Sequence, residues 1–162
     1  LNQERVHLIA TGGTIDKLYD PLTGDLYVGP PVLAAILATA GISLAVWEVL
    51  KKDSLEITDG ERTALAAFVA ASSASRLLIT HGTDTMGASA ALIEAAAPGK
   101  TVVLTGAMVP HSIAGSDAAF NVGVAFAAVQ TLPPGVYIAM HGKALPHARY
   151  VKDRALGLFR AS

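Results

Sequence analysis

Apolar and polar positions alternate in blocks along the chain, and the blocks predict strands and helices in turn. Val6 to Ala10 is a short apolar run that breaks off at Thr11-Gly12-Gly13-Thr14, the pattern of a buried strand entering a tight loop. Residues 15–29 carry Asp20-Pro21 and Thr23-Gly24, turn signals that predict a loop or small hairpin. Pro30 and Pro31 suit a helix start, so a helix is expected over Val32 to Ala40, ended by Gly41. Leu44 to Leu50 reads as a strand. Thr58 with Glu61 three residues on makes a capping box that opens a helix to about Ala71. Arg76 to Thr80 is a strand ending at His81-Gly82-Thr83-Asp84, and Thr85 to Ala97 a helix closed by Pro98-Gly99. A strand over Thr101 to Thr105 ends at Gly106, and a helix capped by Ser116 or Asp117 runs to about Thr131. Pro133-Pro134-Gly135 then leads into a last strand, Val136 to Met140.

Strand-helix units in series predict an α/β fold: a mainly parallel sheet with helices on both faces, a Rossmann-like three-layer single domain over residues 1–162 with no second domain. The segment Ala118 to Leu132 is polar only at Asn121, Gln130 and Thr131. A helix apolar on nearly every face is expected to be buried on more than one side, here between the sheet and another subunit.

Composition sharpens this picture. Apolar residues make up 52% of the 162 positions and charged residues 15%, so a homo-oligomer, dimer or tetramer, is expected to cover apolar surface. The absence of cysteine excludes disulfides and thiolate metal sites. His7, His81, His111, His141 and His147 show no metal-ligand spacing, so no metal is expected. His81 reads as a structural histidine bonded to backbone, the other four as surface or loop residues. The net charge of −1 without a basic run argues against nucleic acid or an anionic membrane as partner. The longest apolar run, Val32 to Ala38, is too short to span a bilayer. No basic segment precedes an apolar stretch at the start, so a cytoplasmic location is expected, while Leu1 in place of Met leaves room for chain upstream.

In open α/β sheets, ligands bind beyond the carboxyl ends of the strands. Three polar loops fall there: Thr11 to Thr14, Asp53-Ser54, and His81 to Thr85. Turn chemistry alone accounts for any one of them. Hydroxyls repeated at successive strand ends point instead to one small ligand, which the backbone at Gly13 and Gly82 can approach closely. No phosphate-binding loop, dinucleotide fingerprint or G-x-S-x-G elbow is present. A threonine nucleophile needs a proton acceptor. Lys152, beside Asp153 and Arg154 after the last strand, is one candidate; a solvated charged stretch is the other reading.

Together the motifs Thr11-Gly12-Gly13-Thr14-Ile15, Thr80-His81-Gly82-Thr83-Asp84-Thr85-Met86, Leu104-Thr105-Gly106-Ala107-Met108 and Ser116-Asp117-Ala118-Ala119-Phe120-Asn121 resemble those of the bacterial-type L-asparaginases, in family order. The length, with Asp53-Ser54-Leu55-Glu56-Ile57-Thr58 and Val151-Lys152-Asp153-Arg154, resembles the short, single-domain branch. The resemblance implies hydrolysis of L-asparagine to L-aspartate and ammonia without a cofactor. It implies Thr14 as nucleophile on a mobile loop, Thr83, Asp84 and Lys152 as a proton-handling triad, and an assisting tyrosine that is either Tyr19 or Tyr27. Substrate contacts are implied for Gly13, Asp53, Ser54, Gly82 and Ala107. Leu55 departs from the glutamine found in many secreted members, which loosens the expected recognition of the α-amino group. The alternatives are a deamidase of glutamine or another small amide, a catalytically weak asparagine- or aspartate-binding module, and a non-enzymatic oligomerising domain.

Overall fold

The computed structural model describes residues 6–162. In chain order its elements are β1 (His7–Gly12), β2 (Lys17–Tyr19), β3 (Leu26–Val28), α1 (Leu33–Ala38), β4 (Val46–Lys52), α2 (Asp59–Ala71), β5 (Arg76–Thr80), α3 (Met86–Ala96), β6 (Thr101–Thr105), α4 (Ala118–Thr131), β7 (Gly135–Met140), β8 (Lys143–Pro146), β9 (Tyr150–Asp153) and β10 (Leu158–Ala161). Six of the strands form one sheet in the order β4-β1-β5-β6-β7-β8. All its pairings are parallel except β7 with β8. The five parallel strands follow the doubly wound order 2-1-3-4-5, in which the chain changes direction of travel beside its first strand.

Side-chain alternation divides the core cleanly. Ile9, Leu77, Ile79, Val102, Leu104, Val136 and Ile138 point to one face and pack under α2 and α3. Leu8, Leu78, Val103, Tyr137 and Ala139 point to the other and pack under α1 and α4. Both faces are apolar because both are covered, which is why these strands read as unbroken hydrophobic runs.

The local signals mostly act where expected. Thr58 and Glu61 form the capping box at the start of α2. The turn-rich stretch after Asp16 is a two-stranded hairpin, β2–β3, closed by bonds from Gly24 N and Leu22 N to Asp20. Differences lie at the edges. The strand expected over Leu44 to Leu50 runs from Val46 to Lys52. At the start of α4 the two expected caps divide the work: Ser116 Oγ accepts from Ala118 N at 3.0 Å, while Asp117 holds the N-cap position but turns its carboxylate away to accept from Met108 N and Val109 N. Lys152 does not follow the last strand but lies within β9, which pairs with β10 in a separate hairpin. That hairpin is tied down by Tyr150 Oη donating to Met140 O (2.7 Å) and by Phe159, buried against Tyr150. The α4 helix buries one face only; Phe120 on its outer side is 63% exposed.

Candidate active site

Because β4, β1 and β5 are neighbours, the loops at their carboxyl ends meet. Gly12 and Gly13 lie at φ 96° and 85°, in the left-handed half of backbone space that favours glycine. Gly13 N donates to Lys52 O at 2.9 Å, holding the β1 loop against β4. A side chain at Gly13 would run into the backbone of Gly82 on the β5 loop. A side chain at Gly82 would in turn meet Ser54 Cβ at 2.5 Å on the β4 loop. The three loops are therefore stacked backbone to backbone, carrying Thr14, Thr83 and Ser54. Gly13→Ala is expected to lower stability by at least ~1–3 kcal/mol, the scale of a backbone conformation that is essentially glycine-only. Chemical denaturation measures this, and an unchanged midpoint would show that the loops are not in contact.

The three residues expected to form a triad come together although 68 residues separate Asp84 from Lys152. Lys152 Nζ donates to Thr83 Oγ1 at 2.7 Å and to Asp84 Oδ1 at 2.8 Å. The lysine side chain is only 12% exposed, and Arg154 Nε approaches the same Asp84 oxygen at 3.4 Å. Thr83 is buried. A cavity of about 400 Å³ is lined by Thr83, Asp84 and Lys152 together with His147, Tyr150 and Phe159. Thr14 is not among its lining residues, so this cavity flanks the triad rather than joining the two threonines.

The remaining residues singled out in the sequence are placed as follows. Ser54 is buried at the start of a 3-10 turn. Asp53 caps that turn through Leu55 N, and its carboxylate accepts from Lys17 Nζ at 2.7 Å. The Lys17 contact, with Lys152 also near, holds the Asp53 carboxyl below the usual range despite partial burial, which acts the other way. The side chain of Ala107 is buried in the α1/α4 layer, leaving its backbone for any ligand contact. Tyr19 and Tyr27 both lie on the β2–β3 hairpin and are 61% and 50% exposed. Leu18 pairs with Tyr27, so those two share one face of the ribbon, and Lys17, Tyr19 and Val28 share the other. From the second face Lys17 reaches Asp53 and Val28 packs beside Gly12, while from the first Leu18 lies against Gly29.

Several organising residues carried no local signal. Asn121 Nδ2 donates to Gly106 O and to Asp117 Oδ2, so the last two sequence motifs interlock behind the site. His81 is fully buried, with Nδ1 on Gly82 O (2.8 Å) and Nε2 on Ser89 Oγ (2.8 Å). Its backbone partner agrees with the structural reading of this histidine. His7, read as a surface or loop residue, lies instead in β1 and stacks on Trp47.

Two buried groups give opposite pH dependences. Asp16, between Thr14 and the hairpin, accepts from Val32 N at 3.0 Å; burial pushes its carboxyl from 3.8 up to about 6. Its native form holds a proton more readily than the unfolded chain, so its favourable contribution is full at low pH and is lost as pH rises through about 6. Burial pulls His81 from 6.5 down to about 4, and its contribution is present above 6.5 and lost as pH falls through about 4. Asp16→Asn keeps the acceptor and removes the buried charge. It is expected to stabilise the protein by ~1–3 kcal/mol at pH 8 and to have little effect at pH 4. Thermal melts at the two pH values check this, and a uniform shift would contradict it.

Comparisons with known proteins bear on the fold and the family. The family model described as asparaginase, N-terminal, matches residues 5–158. The thermostable L-asparaginase from Thermococcus kodakarensis is 28% identical, with a TM-score of 0.80 over 96% of this chain and 50% of its own. A probable cytoplasmic L-asparaginase from Campylobacter jejuni is 27% identical, with a TM-score of 0.84 over 98% of this chain and 53% of its own. The chain thus spans about half the length of these solved relatives. The comparison with curated proteins gave no match. With a family model covering nearly all of it and a sheet that superposes on two L-asparaginases, the chain belongs to the asparaginase family, whose N-terminal domain it matches.

Proposed function

We propose that this domain carries an amidohydrolase site that hydrolyses L-asparagine to L-aspartate and ammonia through a threonine nucleophile. The observation that carries the reading is Lys152 Nζ within hydrogen-bonding distance of both Thr83 Oγ1 and Asp84 Oδ1. A partly desolvated lysine bonded to a carboxylate can pass its proton to that carboxylate and accept one from a hydroxyl. Thr14 Oγ1 attacks the side-chain amide carbon, and its proton is taken up by the Thr83–Lys152–Asp84 group. That proton goes to the departing nitrogen, ammonia leaves, and water cleaves the resulting ester to release aspartate. Backbone N–H groups of the Gly13 and Gly82 loops stabilise the oxyanion, while Ser54 holds the substrate carboxylate. The assisting tyrosine is Tyr19 or Tyr27, both carried on the β2–β3 hairpin next to Thr14. The chemistry draws only on the protein and water. The exposed apolar side of α4, with Phe120, supports a homo-oligomer as the working form.

Ammonia release from asparagine, glutamine and other small amides tests the reading. Turnover fastest on asparagine is the expected result; faster release from glutamine would make this a broader deamidase, and binding of aspartate without turnover would make it a binding module. Hydrogen exchange tests the lid. Residues 14–29 are expected to exchange fast in the free protein and to slow on adding aspartate, since lids order over their ligands. Protection equal to that of β5 in both states would remove the hairpin from the gating role.

A further inference from the structure

The strongest feature outside the triad is a buried cation. Arg62 lies in the first turns of α2 and is only 7% exposed. Burying a guanidinium is costly unless its donors find acceptors, and here both Nη groups do, at the Ser54 turn and at the start of α3. One arm, Nη2, donates to Ser54 O (3.2 Å) and Ile57 O (3.1 Å). The other, Nη1, donates to Ser89 Oγ at 2.8 Å and, more weakly, toward Thr85 O at 3.4 Å. Ser89 Oγ also meets His81 Nε2, and His81 Nδ1 meets Gly82 O. A carbonyl can only accept, so Nδ1 carries the hydrogen and Nε2 accepts from Ser89. The relay runs in one direction, from Arg62 through Ser89 and His81 to the Gly82 carbonyl. Fixing that carbonyl fixes the peptide plane it shares with Thr83, and so the direction of the Thr83 N–H.

We infer that Arg62 is a positioning residue that sets the Ser54 turn and the Thr83 loop against each other, one arm of its guanidinium on each. The inference rests on the function proposed above, in which Ser54 binds the substrate and Thr83 handles the proton. The two arms then have separable kinetic effects. Ser89→Ala cuts the relay to Gly82 together with the Nη1 bond that feeds it, leaves the Nη2 arm on Ser54, and lowers kcat about tenfold with KM within about twofold, on the scale of lost positioning hydrogen bonds. Arg62→Lys keeps the charge but has no planar fork to span both loops. It lowers kcat similarly and also raises KM severalfold. Arg62→Met in addition removes the cation that helps to keep His81 neutral, and moves the His81 titration to higher pH.

The experiment combines steady-state kinetics with nuclear magnetic resonance of the same variants. It reads the Ser54, Gly82 and Thr83 amides, the His81 tautomer and its titration midpoint. The expected result is an Nδ1–H histidine in the wild type, Gly82–Thr83 shifts in Ser89→Ala, and shifts at both loops in the Arg62 variants. Folded variants with wild-type amide shifts and wild-type kcat and KM would overturn the inference. So would losses that follow only the fraction unfolded. A wild-type protein without amidase activity would count against the proposed function alone, because the amide shifts still decide the positioning role.

Discussion

Thr14→Ala and Thr83→Ala each lower asparagine hydrolysis by about three orders of magnitude or more, as expected when a hydroxyl central to a covalent mechanism is removed. The fold survives in both, because neither hydroxyl bears the stacking of the three loops; that rests on Gly13, Gly82 and Ser54. On the proposed mechanism the two threonines act as a unit, so the double variant loses little more than either single one. Their roles differ, and the geometry raises a specific alternative: the lysine bonds to Thr83, which would make Thr83 the nucleophile. Trapping the acyl-enzyme and locating it by mass spectrometry separates the two. Label on Thr14 supports the proposed order, label on Thr83 reverses it, and full activity in either alanine variant removes that residue from the mechanism.

Lys152→Met lowers turnover by about two to four orders of magnitude, the range for a positioned general acid–base group. Lys143→Met, at the exposed start of β8, leaves it unchanged. Lys152 has two partners, so its loss also leaves the Asp84 carboxylate, among the described residues, with the longer contact to Arg154. The pH–rate profile therefore changes shape as well as height. A Lys152→Met enzyme with wild-type rates and an unaltered profile would refute the triad.

The parallel layer was legible because its physics is local. The runs at Val6, Arg76, Thr101 and Val136 are short and bounded by glycine or proline, and the Thr58–Glu61 box is a self-contained signal. The polar loops at three strand ends were legible as a cluster, but their adjacency depends on the β4-β1-β5 order, which no single segment encodes. The last third was not readable in the same way. β8, β9 and β10 are four residues each and contain lysine, arginine or proline; β8 is held by pairing with β7, and β9 and β10 by Tyr150 and Phe159 packing into the core. Lys152 was found by resemblance, since its neighbours look like any solvated charged stretch. Arg62 was invisible: an arginine three residues into a helix after a capping box reads as surface, and its burial exists only once α2 is laid across the ends of β4 and β5.

The placement of Lys152 on the β9–β10 hairpin has a consequence for the order in which a nascent chain becomes active. All five parallel strands and all four helices are complete by Met140, while the hairpin that brings the lysine to Thr83 still lies ahead on the ribosome. On the proposed mechanism, a chain paused at that point has both threonines in place and no proton acceptor, so synthesis of the domain finishes with catalysis switched off until the last two strands dock.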